Sequence, residues 1–215
     1  MPESYECGIR PDSKILICSS SGGGKTFLVI DMLINYRKVF IEAPTKIYVF
    51  YLHYQPAYDR LRQSVDIECV FLEGAPADTF KPQKGAFVLL DDLMGVDSEQ
   101  VREFYTRKAH HFHVCCAYLV QNLFSKNKHH RDISLNVDYI VVFRNRRDIS
   151  QIKRLGQGLF GTGGGAHLER VYNDLTYNKP HSYVFIDVHQ ETPEEYKIRS
   201  SVIPESGVTR AYQEI

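Results

Sequence analysis

The sequence predicts an α/β fold whose core is a mainly parallel sheet flanked by helices. Three observations lead there. Short apolar runs alternate with stretches of helical apolar spacing, the arrangement that feeds a parallel sheet. Several of the runs, such as Ala86–Leu90 (A-F-V-L-L) and Tyr139–Phe143 (Y-I-V-V-F), are apolar at every position, as strands buried on both faces must be. A glycine-rich loop, Ser21-Gly22-Gly23-Gly24, joins the first run to the first helix.

Taken in order, Lys14–Cys18 (K-I-L-I-C) is the first strand, and it runs into Ser19-Ser20-Ser21-Gly22-Gly23-Gly24-Lys25-Thr26. Phe27–Tyr36 carries apolar residues at 27, 28, 30, 33 and 34, a helical spacing. Lys46–Leu52 (K-I-Y-V-F-Y-L) is rich in β-branched and aromatic residues and reads as a strand. Pro56–Gln63 is a short helix, and Ile67–Leu72 a third strand. Ala86–Leu90 is a buried strand closed by Asp91-Asp92. Ser98–Lys108 has helical character, and Phe112–Val120 is a strand closed by Gln121-Asn122. Tyr139–Phe143 is followed by a helix over Ile152–Leu159, capped by Asp148 or Ser150. Gly161–Gly165 reads as a mobile surface loop before a helix from Ala166 to Tyr177, and Ser182–Val188 is the last strand. No repeat and no internal boundary divides the chain, so residues 1–215 are expected to form a single domain.

Composition narrows the function classes. The 215 residues are 43% hydrophobic and 24% charged, as in ordinary globular domains. The longest central apolar run, Val114–Val120, is far short of the ~20 residues that cross a bilayer, and the N-terminus lacks an apolar signal stretch. Five cysteines (Cys7, Cys18, Cys69, Cys115, Cys116) include no C-x-x-C pair, which argues against a disulfide framework or a zinc knuckle and for a soluble intracellular protein. Lys and Arg number 26, as do Asp and Glu. The balance hides an asymmetry: residues 101–154 hold eleven basic against four acidic residues, and five of the nine histidines. One basic face suggests a polyanionic partner.

The chemistry sits at three strand ends. In Ser21-Gly22-Gly23-Gly24-Lys25-Thr26, glycines let backbone N–H groups wrap a phosphate at a helix N-terminus. Lys25 is placed to reach the β- and γ-phosphates of ATP, and the Thr26 hydroxyl to ligate Mg²⁺. Asp91 and Asp92 close a buried strand about 65 residues later, the setting of a second phosphate-site motif. Asp91 is expected to hold Mg²⁺ through its water shell, and Asp92 to orient and deprotonate an attacking water. An acid in that second place favours hydrolysis. Gln121, at the end of the following strand and next to the acids in the sheet, is placed to touch the γ-phosphate. His110-His111-Phe112-His113 lacks the further ligands a zinc site needs, and Cys115-Cys116 reads as strand packing.

These signals, in this order, resemble the FtsK/HerA branch of P-loop ATPases, and within it the genome-packaging ATPases of polinton-like, virophage and adeno-like DNA viruses, relatives of the poxvirus packaging ATPase. The residues that carry the resemblance are Ile17–Thr26, Tyr51–Pro56 with Tyr58, Phe71–Gly74, and Leu89–Met94 (L-L-D-D-L-M). It continues through His110-His111, Tyr118–Phe124 (Y-L-V-Q-N-L-F), Arg131–Asn136 (R-D-I-S-L-N) and Tyr139–Asp148. Tyr183–His189 and Tyr196–Pro204 complete it. The resemblance implies a RecA-like core that binds ATP and Mg²⁺, assembles as a homo-oligomeric ring and pumps double-stranded DNA, without reading its sequence, into a preformed capsid inside the host cell. Capsid proteins are then implied as partners. Such rings complete each site with an arginine from a neighbouring subunit. Arg147 and Arg131 are the candidates here, with Arg107 weaker, because Phe112 stands where an arginine is more usual. The sequence departs a second time at Ser19, which replaces the first glycine of G-x-x-x-x-G-K-[ST]. Lys126, Lys128 and Arg131 are expected to meet DNA phosphates. Two other readings of the same residues are a nucleoside or nucleotide kinase and an assembly protein that binds ATP without hydrolysing it.

Overall fold

The structure, a computed structural model, describes residues 7–93, 98–124, 133, 135–145, 149–177, 179–203 and 209–213. The strands are β1 (Lys14–Cys18), β2 (Ile47–Tyr51), β3 (Cys69–Glu73), β4 (Phe87–Asp91), β5 (Cys115–Val120), β6 (Tyr139–Phe143), β7 (Tyr183–Asp187) and β8 (Ile198–Arg199). Among the described residues they form one sheet in the order β3-β2-β4-β5-β1-β6-β7-β8. The first six strands are parallel, and β7 and β8 extend the sheet antiparallel from β6.

Side-chain alternation splits the core into two halves, one per face. Ile15, Ile17, Phe87, Leu89, Ala117, Leu119 and Val141 face α1 (Lys25–Ile34), α2 (Tyr36–Val39) and α3 (Pro56–Ser64). Leu16, Val88, Leu90, Cys116, Tyr118 and Ile140 face the other side. There lie α4 (Ser98–Glu103), a π-helical turn Phe104–Lys108, α5 (Ala109–His111), α6 (Ser150–Phe160) and α7 (Gly164–Thr176). Because both faces are covered, β1, β4, β5 and β6 are apolar at nearly every position, the pattern visible in the sequence.

Three local features depart from the sequence expectation. Gly161–Gly165 is a surface turn only over 161–163, which are exposed. Gly164 and Gly165 are buried and open α7, where Gly164 meets Gly156 of α6. A Cβ on Gly156 would lie 2.3 Å from the Gly164 carbonyl oxygen, so the two helices approach through their backbones. β5 starts at Cys115 rather than Phe112, because the chain leaves α5 through His113 in a left-handed conformation (φ 53°). β8 was not expected at all. It is two residues long and is held by a buried ion pair, Arg199 to Asp187 at 2.8 Å, with Thr192 donating to the other Asp187 oxygen at 2.9 Å.

Candidate nucleotide site

β5 pairs with β1 on one side and β4 on the other. The carboxyl ends of these parallel strands therefore emerge side by side, which is where open α/β sheets bind ligands. The Ser19 N–H still donates to the Val120 carbonyl at 3.1 Å, so the loop after β1 starts beside Gln121.

The loop is shaped by Gly22 (φ 71°) and Gly24 (φ 103°), both in the left-handed region that glycine tolerates. Ser19 is 2% exposed and is not among the left-handed residues, so its backbone makes no demand for glycine. Its Oγ occupies the space a side chain at Gly23 would need, 1.6 Å from an ideal Cβ there. The departure at position 19 is thus accommodated by the glycine at 23. Gly24 caps α1 without a side-chain bond, leaving the first N–H groups of the helix to an anion.

Lys25 folds back over the loop and donates to the Ser19 and Ser20 carbonyls at 2.8 and 3.3 Å. Burial pulls its pKa down, an effect opposed by Cys18, Asp91 and Asp92. A phosphate beside it would favour the charged form that burial disfavours. Beneath the loop, the Thr26 hydroxyl donates to Asp91 Oδ2 at 2.9 Å, which brings together the two residues expected to hold Mg²⁺. Asp91 is 2% exposed, and burial raises its pKa. Hydrogen bonds from Tyr58 and Thr26 act in the opposite direction. A hydroxyl and a carboxylate, both oxygen donors, fit Mg²⁺, which completes its shell with phosphate oxygens and water. Among the described residues no group of three His, Cys, Asp or Glu side chains makes a metal cage, and His113 Nδ1 lies 2.7 Å from Asp12.

Asp92 turns out of the strand with φ 54°, an uncommon conformation for a residue other than glycine, and its exposed carboxylate lines the cavity that opens over the loop. Gln121 lines the same cavity, which measures about 1020 Å³. Lys25, Thr26, Asp91, Asp92 and Gln121 are therefore brought together. Arg131 and Arg147 lie outside the described residues, as do Lys126 and Lys128. Arg107 is exposed on the π-helical turn. Lys14 at the start of β1 reaches the carbonyl of the adjacent Thr106 at 3.3 Å, so Arg107 sits at the far end of the sheet from the loop.

Two residues with no role assigned from sequence belong to the site. Tyr58 OH donates to Asp91 Oδ2 at 2.7 Å, and Gln55 Nε2 to the same oxygen at 3.3 Å. Both come from the start of α3, where Pro56 occupies the first turn. Tyr58 is fully buried and packs against Tyr51, Tyr54 and Phe71. A tyrosine amid the apolar positions of a short helix signalled only that its hydroxyl would need a buried partner.

A mainly parallel α/β sheet, a glycine loop entering a helix, and an acid-tipped strand with one strand between it and that loop's strand are the architecture of the P-loop NTPase fold. Comparison with solved structures agrees. The chain superposes on the genome packaging NTPase B204 of Sulfolobus turreted icosahedral virus 2, a structure in complex with ATP-gammaS, with a TM-score of 0.50 and 12% identity. The alignment covers 95% of this chain and 98% of that one. It also superposes on EssC (ATPases 2 and 3) from Geobacillus thermodenitrificans with a TM-score of 0.51 and 14% identity, over 82% of this chain but only 38% of that one. No family model and no curated protein matches the sequence. At these identities the likeness establishes the fold, and both neighbours agree with the resemblance read from the motifs. No helix among the described residues is long and apolar enough to cross a membrane.

Proposed function

We propose that the chain is an Mg²⁺-dependent ATPase that translocates double-stranded DNA, working as a homo-oligomeric ring that packages a viral genome into a preformed capsid. In this reading the 215 residues act as one ATPase domain, soluble within the host cell, with capsid proteins as further partners. The observation that carries it is the convergence of Thr26, Asp91, Asp92 and Gln121 at the ends of three adjacent strands.

The roles follow from the placement. The loop N–H groups and Lys25 bind the β- and γ-phosphates. Thr26 and Asp91 would hold Mg²⁺, which would supply positive charge to the phosphate oxygens. Asp92, exposed to the cavity, accepts the proton of the attacking water. Gln121 touches the γ-phosphate and carries its loss to the segment that follows β5. Arg147 or Arg131 of a neighbouring subunit supplies the remaining positive charge. The basic segment after Gln121 contacts DNA phosphates rather than bases. The carboxylate at Asp92 favours water as acceptor, and hence hydrolysis over a kinase.

Two variants separate binding from chemistry. Lys25→Ala removes the charge on the phosphates, so equilibrium binding of ATP and its hydrolysis should both be lost. Asp92→Asn removes only the base, so binding should persist while turnover falls by about 10²-fold or more. Wild-type turnover in Lys25→Ala, or equal loss of binding in both variants, contradicts the assignment.

A further inference from the structure

We infer that the nucleobase of the bound nucleotide stacks in an apolar slot between Phe27 and the β7–β8 edge, and that the slot holds the base by its faces without reading its edges. The inference rests on the phosphate-site reading above. The order of strands gives the direction of the ligand. Asp91 and Asp92 lie on the β4 side of β1, whereas β6, β7 and β8 lie on the other. A nucleoside triphosphate whose terminal phosphate meets the acids therefore extends its other end toward β6–β8.

The cavity continues in that direction. One wall is the exposed face of α1, headed by Phe27, directly after the phosphate loop. Phe27 is 58% exposed, although Leu28, Val29, Met32 and Leu33 of the same helix are buried. An aromatic ring left open at the mouth of a site is a stacking surface for any base. Tyr183 and Ile203 line the same cavity from the β7 side, with Tyr183 set against the buried Phe143 ring at 5.3 Å between centroids. His181 closes the slot beside the loop. Its Nδ1 lies 3.2 Å from the Gly23 carbonyl, and its backbone is held in the left-handed region (φ 56°).

Among the described residues, Tyr183, Ser201, Asn35 and Asp31 each turn a polar group toward the protein. Tyr183 OH and Ser201 Oγ are 3.2 Å apart, and Ser201 Oγ also donates to the Ile203 carbonyl at 2.6 Å. Asn35 spends its amide on the Asp31 carbonyl at 2.8 Å, and the Asp31 carboxylate pairs with Arg60 at 2.7 Å. A slot of this kind gains from a flat ring but discriminates weakly between bases, because strong discrimination needs buried hydrogen-bonding groups aimed at the base edge.

The test is calorimetric titration, with Mg²⁺, of ATP, GTP and inorganic tripolyphosphate into the full chain. ATP and GTP should bind within about threefold of each other. Tripolyphosphate should bind at least ~10-fold more weakly, the loss of one base–aromatic stack. Phe27→Ala, at an exposed position that does not threaten folding, should weaken ATP and GTP by about tenfold and leave tripolyphosphate unchanged, and Phe27→Tyr should restore both nucleotides. The slot is overturned if tripolyphosphate binds as tightly as ATP, if Phe27→Ala weakens all three ligands alike or none, or if one base is preferred by more than about 30-fold. If no ligand binds the wild-type chain, the phosphate-site reading falls and the slot with it. Retained tripolyphosphate binding that Lys25→Ala abolishes keeps the phosphate site while these outcomes decide the slot.

Discussion

Asp91 is the residue on which opposing demands meet. A carboxylate at the end of a buried strand loses hydration, and its pKa rises because burial disfavours the charged form. The Thr26 and Tyr58 hydroxyls, both bonded to Oδ2, recover part of that cost. A folded-state pKa above the unfolded value means that the free protein gains stability as pH falls and loses it as pH rises. Asp91→Asn keeps an oxygen that accepts from Thr26 and Tyr58 but carries no charge. Its free form should therefore melt ~2–4 °C higher than wild type at pH 8, the shift expected of about 1 kcal/mol in a domain of this size. The gain should vanish at acidic pH, where wild-type Asp91 is itself neutral. The same variant should lose Mg²⁺-dependent nucleotide binding. Tyr58→Phe removes a bond that favours the charged carboxylate, so Mg²⁺-dependent binding should fail at a higher pH than in wild type as the solution is acidified. A pH profile identical to wild type contradicts a positioning role for Tyr58. The carboxylate and the threonine were legible in the sequence from their motifs. The tyrosine was not, because its contact joins residues 33 positions apart and depends on how α3 crosses the sheet.

At the scale of elements, apolar runs flanked by glycine or acidic residues marked β1, β4 and β6 in the sequence, because strands covered on both faces leave no room for polar residues. Sheet order was legible only in part. Gln121 was expected beside the acids, as the β4–β5 pairing has it, but that β5 also pairs with β1 and so sets Gln121 between loop and acids follows from which edge each crossover joins. β8 escaped detection because two residues carry no periodicity, and what fixes them is the Asp187–Arg199 pair. The glycines of α6 and α7 misled in a more instructive way. Gly161–Gly165 suggests a loop by composition, yet Gly164 is needed for helix contact rather than for freedom of the chain. Gly156→Ala places a methyl against the Gly164 carbonyl oxygen and should destabilise the fold by about 1–3 kcal/mol in denaturant unfolding, with little effect on tripolyphosphate binding. Gly158→Ala meets nothing within 4 Å in the same helix and should leave stability unchanged or raise it. Equal effects of the two variants contradict the close-approach account.

For the whole molecule, the proposal calls on an arginine from a neighbouring subunit and on a basic surface for DNA. The basic excess of residues 101–154 lies partly in segments outside the described residues, and Arg107 sits at the end of the sheet opposite the phosphate loop. If that proposal holds, activity per subunit should rise with protein concentration as subunits assemble. Arg147→Ala should then abolish turnover with nucleotide affinity nearly intact, since the arginine acts on transition-state charge. Mixing Lys25→Ala with Arg147→Ala subunits should restore part of the activity, because some interfaces join a sound loop to a sound arginine. No rescue in a co-assembled mixture contradicts action across the interface by Arg147, and Arg131 becomes the residue to test in the same way. The central claim, that ATP hydrolysis here is coupled to duplex DNA, is tested most directly by steady-state ATP turnover with and without DNA over a range of salt. The account predicts turnover that rises with duplex DNA of any sequence, a stimulation that falls steeply with salt because the contacts are to phosphates, and inorganic phosphate as the product. Turnover indifferent to DNA at every salt concentration, or transfer of the phosphoryl group to a nucleoside, would contradict it.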